Sequence, residues 1–150
     1  MDVERVRAFC LGLPHVVETR QWGDGLLFWV GDQAIGGKMF ALVRLEGAAG
    51  RVISYPTDPE HYAELVEQEG IIPAPYLARL HWVSVEHWGV MRNSVWEEEL
   101  RAAYELKFAS LPPKTKAVLA LPGAERKRVI AARKKLLAER EAAKKAKVKK

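Results

Sequence analysis

The sequence has little cysteine and no long apolar segment. Among its 150 residues there is one cysteine, Cys10, so no disulfide can form within the chain. The thiol falls in an apolar helical pattern, which favours a buried, unreactive group. No apolar run reaches the roughly 18 residues of a membrane span, and charged residues interrupt the start, where a signal peptide would be apolar. These absences predict a reduced, cytoplasmic protein without membrane contact.

Motifs of catalysis, phosphate binding and metal binding are also lacking. The chain has no GxSxG, Walker or HExxH motif, and Gly36-Gly37-Lys38 lacks the earlier glycine and the following Ser/Thr of a phosphate loop. The stretch LHWVSVEHW contains two histidines, but on a strand His81 and His87 would lie about 20 Å apart. One metal ion could not bridge them. We therefore predict no catalytic residue, no metal site and no cofactor.

Charge is distributed unevenly along the chain. From Ala124 to Lys150, twelve Lys/Arg stand against three Glu, which gives +9. Residues 1–123 then carry twelve basic and sixteen acidic groups, which gives −4. The high pI of 9.4 is therefore a property of the tail. Because attraction to phosphate is local as well as global, this asymmetry matters for any nucleic-acid partner.

Apolar spacing predicts a helix followed by strands. Val3, Val6, Cys10 and Leu13 recur at helical spacing, and Asp2 can cap the start of that helix. The period then changes, and short links indicate an antiparallel meander of three strands at residues 26–30, 39–45 and 51–55, with a turn at 47–50 before the third.

The second half of the body alternates helices with one more strand. Asp58-Pro59 is typical of a helix start, and Ile71–Tyr76 is predicted as a proline-rich connection. LHWVSVEHW, Leu80–Trp88, is predicted as a strand with His81, Val83, Val85 and His87 on its core face. A further helix is predicted from Ser94, which could form a capping box with Glu97.

The composition changes after Pro122. The tail is rich in Ala, Lys, Arg and Glu, which favour helix, and Val129, Ile130, Leu136 and Leu137 give it a narrow apolar stripe. We predict two regions: an α+β domain over 1–122 and a basic tail over 123–150, helical and fraying into disorder near its end.

Several pieces in order carry a resemblance to a known family. They are FCLGLPHVVE, GGKMFALV, RVISY, TDPEHYAELVEQEGIIPAPYL, LHWVSV and AAYELKFASLPPKTK. The conjunction resembles the MmcQ/YjbR family, small bacterial proteins usually labelled DNA-binding, over about residues 1–116. The resemblance implies an α+β fold with an antiparallel sheet and helices packed on one face, similar to the frataxin-like architecture, and wing-like hairpins for DNA.

The same resemblance implies particular contact residues in the body. Lys38 matches the strand lysine, Trp82 belongs to the His-Trp pair, and Arg79 lies where a basic residue is frequent. Two positions depart from the family pattern: Tyr55 replaces a lysine, and Ala103-Tyr104 replaces Ser-Tyr. Together with the acidic body, these departures move the expected DNA affinity toward the tail.

The leading hypothesis is a non-catalytic DNA-binding protein with weak sequence preference. Its phosphate contacts would come chiefly from the tail, with additions from the sheet, at Arg126, Lys127, Arg128, Arg133, Lys134, Lys135, Lys38, Arg79 and Trp82. The alternative is a protein-interaction or scaffold domain without nucleic-acid binding, docking through the apolar stripe of the tail. A small-molecule pocket near His81, Trp82 and Tyr104 is a third hypothesis.

Overall fold

A computed structural model describes residues 1–45 and 50–148. Over these residues the chain forms five α-helices and one six-stranded antiparallel sheet with strand order β1-β2-β3-β4-β6-β5. The strands are β1 (Val16–Gln21), β2 (Gly25–Val30), β3 (Lys38–Arg44), β4 (Ile53–Pro56), β5 (Ile71–Pro73) and β6 (Trp82–Val85). The helices are α1 (Val3–Leu11), α2 (Pro59–Leu65), α3 (Asn93–Ala109), α4 (Pro113–Leu119) and α5 (Gly123–Val148). The predicted α+β class is confirmed.

The hydrophobic core lies between the sheet and its helices. The sheet contributes alternate residues such as Val83 and Val85 of β6, and α3 contributes Trp96 and Leu100, all with no exposed surface. Cys10 of α1 joins the same cluster, and burial raises the pKa of its thiol to about 12. The prediction that the thiol is buried is confirmed, and the raised pKa disfavours the reactive thiolate form.

Two predicted helix caps form, and a third does not. The Asp2 carboxylate accepts from the amide of Arg5 at 2.8 Å, and Asp58 accepts from that of His61 at 2.9 Å. The predicted capping box of Ser94 and Glu97 is wrong, since α3 starts at Asn93 and its cap position makes no side-chain hydrogen bond. Glu97 instead lies 4.0 Å from the guanidinium of Arg5 on α1.

The two outermost strands, β1 and β5, were not predicted. β1 reads VVETRQ, in which polar residues break the apolar alternation, and it pairs only with β2. β5 contains Pro73 and lies within the predicted proline-rich connection, pairing only with β6. An edge strand tolerates proline and needs only one covered side, so its sequence signal is weak.

The stretch Leu80–Trp88 is shorter as a strand than predicted. Only Trp82–Val85 pairs with neighbouring strands, while Ala78–Leu80 and Trp88–Val90 are short 3₁₀ turns. Val83 and Val85 do face the core, but the prediction that His81 and His87 share their strand is wrong. His81 adopts a left-handed backbone with φ of 61°, which ends the preceding turn and resets the side-chain alternation.

Two predictions fall partly outside the described residues. Most of the turn predicted at 47–50 lies in the segment 46–49, and the end of the tail, where fraying was predicted, includes residues 149–150. Up to Val148 the tail is one continuous helix. Among the residues that the structure describes, no helix has the length and apolar character needed to cross a bilayer.

Candidate nucleic-acid interface

Helix α5 begins where the composition changes. The amide of Arg126 donates to the carbonyl of Pro122 at 2.8 Å, which closes the first turn, and the Arg126 side chain donates to the carbonyl of Leu121 at 3.2 Å. Ala, Lys, Arg, Glu and Leu then continue the helix without a breaker. At 1.5 Å per residue its 26 residues extend about 39 Å.

The first half of α5 rests on the body. It packs against α4 and the short turn Gln33–Ile35. The Lys134 ammonium lies 2.9 Å from the Asp32 carboxylate, whose other oxygen accepts from the amide of Ala34. Ile130 is half-buried, whereas every residue from Ala131 to Val148 is exposed. The helix is therefore held along one side near its start and is open to solvent beyond.

The six tail residues predicted to contact phosphate lie within about three turns of this helix. Lys127, Arg128, Arg133 and Lys135 are exposed, and Arg133 also lines a groove described below. Arg126 is half-buried, and Lys134 is paired with Asp32. The six residues form pairs seven apart, 126/133, 127/134 and 128/135. Because successive residues on a helix are turned by about 100°, these pairs form three rows along α5 rather than one stripe.

The three body residues predicted to contact DNA have different environments. The Lys38 ammonium donates to the Ser110 carbonyl at 2.8 Å and so links β3 to the end of α3. Trp82 is 3% exposed, and the Lys107 ammonium lies 5.9 Å from the centre of its ring. Arg79 is exposed on the 3₁₀ turn before His81. Of the three, Arg79 is exposed, Lys38 is half-buried and Trp82 is buried.

The charge of Lys38 acts on Lys107 at the end of α3. Burial lowers the pKa of Lys107, and the nearby Lys38 charge lowers it further. A phosphate placed here would meet two cations, but both already have partners in the fold: the Ser110 carbonyl for Lys38 and the Trp82 ring for Lys107.

The Gly36-Gly37-Lys38 stretch serves packing. Gly36 has φ of +89°, and a Cβ there would lie 2.6 Å from the Thr115 hydroxyl, which donates to the Ile35 carbonyl. At Gly37 a Cβ would overlap the backbone carbonyl of Gly31. The glycines therefore allow close approach of backbone and α4, which accounts for their presence without a phosphate.

Two exposed aromatic side chains mark the loops. Trp22 is 63% exposed in the turn between β1 and β2, and Tyr76 is fully exposed after Pro75. Both have positive φ, 56° and 66°, which is costly for a bulky residue. The proline before Tyr76 is the sequence signal for this irregular loop.

A buried polar network was also missed. The Glu99 carboxylate accepts from the Tyr55 hydroxyl at 3.2 Å and lies 2.6 Å from Nε2 of His61, whose Nδ1 lies 3.6 Å from Glu64. Desolvation lowers the pKa of His61, but the hydrogen bond and charge of Glu99 outweigh it, so the net shift is upward. The network joins β4 and α2 to α3, whose Glu99 lies 44 residues after Tyr55 and 38 after His61, which is why spacing alone did not reveal it.

The three residues of the hypothesised pocket, His81, Trp82 and Tyr104, do not line one common cavity among the described residues. The Tyr104 hydroxyl donates to the Pro14 carbonyl at 2.7 Å, and Tyr104 lines a cavity of about 300 Å³ with Pro14 and His15. That cavity is lined by neither His81 nor Trp82. His81 packs edge-on against Tyr62 with ring centres 5.4 Å apart.

The chain is similar to a known protein family and to two solved structures. The YjbR family model matches residues 11–106. A crystal structure of Deinococcus radiodurans protein DR2400, which carries the domain DUF419, is 31% identical, with a TM-score of 0.69 over 80% of this chain and 88% of that chain. A crystal structure of a Pseudomonas syringae protein shares the fold at 19% identity, with a TM-score of 0.58 over 71% of this chain and 99% of that one. No curated protein matches the chain.

The family model ends within α3, so α4 and α5 lie beyond the matched range. The resemblance seen in the sequence pieces and the fold agree with this match, and the 31% identity to DR2400 extends over most of both chains. The chain belongs to the YjbR family.

Proposed function

We propose that the protein binds nucleic acid, with DNA as the expected partner, through the phosphate backbone and chiefly by helix α5. The observation that carries the proposal is the combination of charge and exposure on this helix. Residues 124–150 carry +9, and Gly123–Val148 contains no buried residue. A cationic helix of this kind neutralises phosphates and releases condensed counterions, which favours binding without reading the bases.

The helical form of the tail supports duplex DNA in particular. An α-helix fits the major groove, which is about 12 Å wide. The rows of exposed cations on α5 can then approach phosphates on both walls of the groove. Residues 123–150 contain neither Asn nor Gln, the side chains that read adenine, so we expect weak sequence preference.

Arg79 is the body residue that best fits an added contact, because it is exposed. Lys38 and Trp82 support the interface indirectly in this proposal, by holding β3, β6 and the end of α3 together. The proposal gives the chain no catalytic role and no cofactor.

The test is a salt series of binding to a labelled DNA duplex by fluorescence anisotropy. We compare the full chain with a variant in which Lys127, Arg128 and Lys135 are changed to Gln. The matched control changes three exposed arginines of the body, Arg20, Arg79 and Arg92, to Gln and so removes the same charge. Each lost phosphate contact should reduce the slope of log K against log salt by about 0.9.

In the tail variant we expect the magnitude of the slope of log K against log salt to fall by roughly 2 to 3. In the body variant it should fall by at most about 1, through the loss of Arg79. Equal losses in both variants would show that net charge, and not α5, governs binding. A salt-independent affinity, or no binding by the full chain, would overturn the proposal. The latter result would leave the alternative of a protein-interaction domain.

A further inference from the structure

The inner side of α5 carries a feature that phosphate binding does not use. Val129, Leu136 and Leu137 are 36%, 38% and 36% exposed, although they lie on the side of α5 that faces the body. Together with Ala132 and Arg133 they follow the spacing i, i+3, i+4, i+7, i+8. This is the apolar stripe with which a helix normally packs on a neighbour. Here the body covers it only in part.

A groove separates this stripe from the body. It has a volume of about 830 Å³ and lies between α5, α4 and the turn Gln33–Gly36, whose contributions include Val118 and Ile35. The turn and α4 are held together along the groove, because Gly36 packs against Thr115 and the Thr115 hydroxyl donates to the Ile35 carbonyl at 2.6 Å. We call it the α4–α5 groove. Such a concave apolar surface, open to solvent, fits an amphipathic helix laid along it.

The charges beside the groove define the occupant. Both charged residues in its lining, Lys114 and Arg133, are cations. Arg140 stands one heptad after Arg133 and continues the row past the end of the groove. A helix with leucine-like residues on one side and Glu or Asp beside them would place carboxylates opposite this row.

Other occupants fit less well. A second copy of α5 would bring another region of +9 against the first. A bilayer surface is flat and would leave the concave part of the groove unfilled. Nucleic acid has no apolar stripe to fill one. We propose that the α4–α5 groove binds an acidic amphipathic helix of a partner protein.

The test uses designed peptides of about 18 residues, or five turns. One set is acidic, with Leu, Ile or Phe at i, i+3, i+4 and i+7 and Glu elsewhere. A second set has the same composition in scrambled order, and a third replaces Glu by Lys. Binding of fluorescent peptides to the full chain is measured by anisotropy, and circular dichroism checks that each protein variant keeps its fold.

The matched variants change leucines of equal exposure. The double substitution Leu136→Ala and Leu137→Ala alters the groove, whereas Leu106→Ala alters an equally exposed leucine on α3. We expect saturable binding of the ordered acidic peptides, a loss of at least about tenfold in the double variant and less than about twofold in Leu106→Ala. DNA affinity should stay within about twofold in both, since no phosphate contact is removed.

The outcomes separate this inference from the proposed function. Failure of all ordered acidic peptides to bind, equal binding of scrambled peptides, or full affinity in the double variant would each overturn the groove assignment, whatever the DNA result. If the chain self-associates and the double variant does not, the groove binds a second copy instead. If the chain binds phosphatidylglycerol vesicles and the double variant does not, the groove binds a membrane instead. Loss of DNA binding with retained peptide binding would overturn only the proposed function.

Discussion

The body and helix α5 differ in what holds them in place. In the body, residues from both ends of the domain, such as Val6 and Trp96, meet in one core with no exposed surface. In α5, Gly123–Val148 contains no buried residue, and among the described residues its ion pair to the body joins Lys134 to Asp32. The body therefore depends on tertiary packing, whereas α5, apart from its contacts with α4 and the turn Gln33–Ile35, depends on local helix propensity. Changes to the two regions should consequently affect different measurements.

The largest effect should come from opening the core of the body. Trp96 has no exposed surface, its indole donates to the Trp88 carbonyl at 3.1 Å, and the two rings lie 5.3 Å apart. Trp96→Ala should lower the free energy of unfolding by about 3–5 kcal/mol. Urea unfolding of the full chain measures this. Leu137→Ala on α5 is the comparison, and a loss of similar size there would erase the distinction.

A second contrast uses one glycine in each region. In Gly37→Ala, the new Cβ would overlap the Gly31 carbonyl, so backbone must move and stability should fall by more than about 2 kcal/mol. In Gly123→Ala, the Cβ meets only the Arg126 side chain at 3.8 Å, and alanine favours helix. Thermal unfolding of both variants checks this. An unchanged melting temperature for Gly37→Ala would contradict the close packing described here.

A smaller effect should appear in the pH dependence of the body. The partnership with Glu99 raises the pKa of His61 in the folded state. Its contribution to stability is therefore fully present below the unfolded-state pKa of about 6.5 and is lost as pH rises through the folded-state value. NMR titration should place the His61 pKa above that of an unfolded peptide, and Glu99→Gln should lower it.

His15 provides a control of opposite sign for that titration. Burial lowers its pKa, and the charge of Arg126 at the start of α5 lowers it further. Arg126→Gln should therefore raise the pKa of His15 and leave that of His61 unchanged. If both histidines moved together, the variant would have altered the body as a whole.

The smallest effect should come from the ion pair between the two regions. Lys134 is 60% exposed on its side chain and Asp32 is 13% exposed, so solvent screens the interaction from one side. Lys134→Ala should change the free energy of unfolding of the body by at most about 1 kcal/mol. Removing α5 by ending the chain at Pro122 should change it little more. A large loss of stability on truncation would show that α5 is part of the folded unit.

The sequence predicted features that depend on neighbouring residues. Asp2 and Asp58 cap helices as expected, because a cap needs only the next few amides. Strands β2, β3 and β4 were found because apolar runs and short turns repeat there. β1 and β5 were missed because each is an edge strand that pairs with one neighbour.

The candidate sites also differ in whether they depend on composition or on contacts between residues distant in sequence. The charge of the tail is a property of composition and was visible at once. Trp82 and Lys38 could be located on strands, but their partners, Lys107 and Ser110, lie 25 and 72 residues away in the chain. The network of Tyr55, His61 and Glu99 was missed for the same reason. Glu99 lies 44 residues from Tyr55 and 38 from His61, so only tertiary folding brings them together. The groove beside α5 likewise exists only once α4 and the turn at Gln33 are placed.

The continuity of α5 up to Val148 has a consequence for the thermodynamics of any partner it binds. A disordered basic tail must surrender conformational entropy when it orders on a surface, at about 1–2 kcal/mol for the backbone of each residue fixed. A helix that is already formed keeps most of that free energy for contacts. It also holds its cations at set intervals along a rigid rod, so partners with a regular spacing of acidic groups are favoured over flexible ones of equal charge.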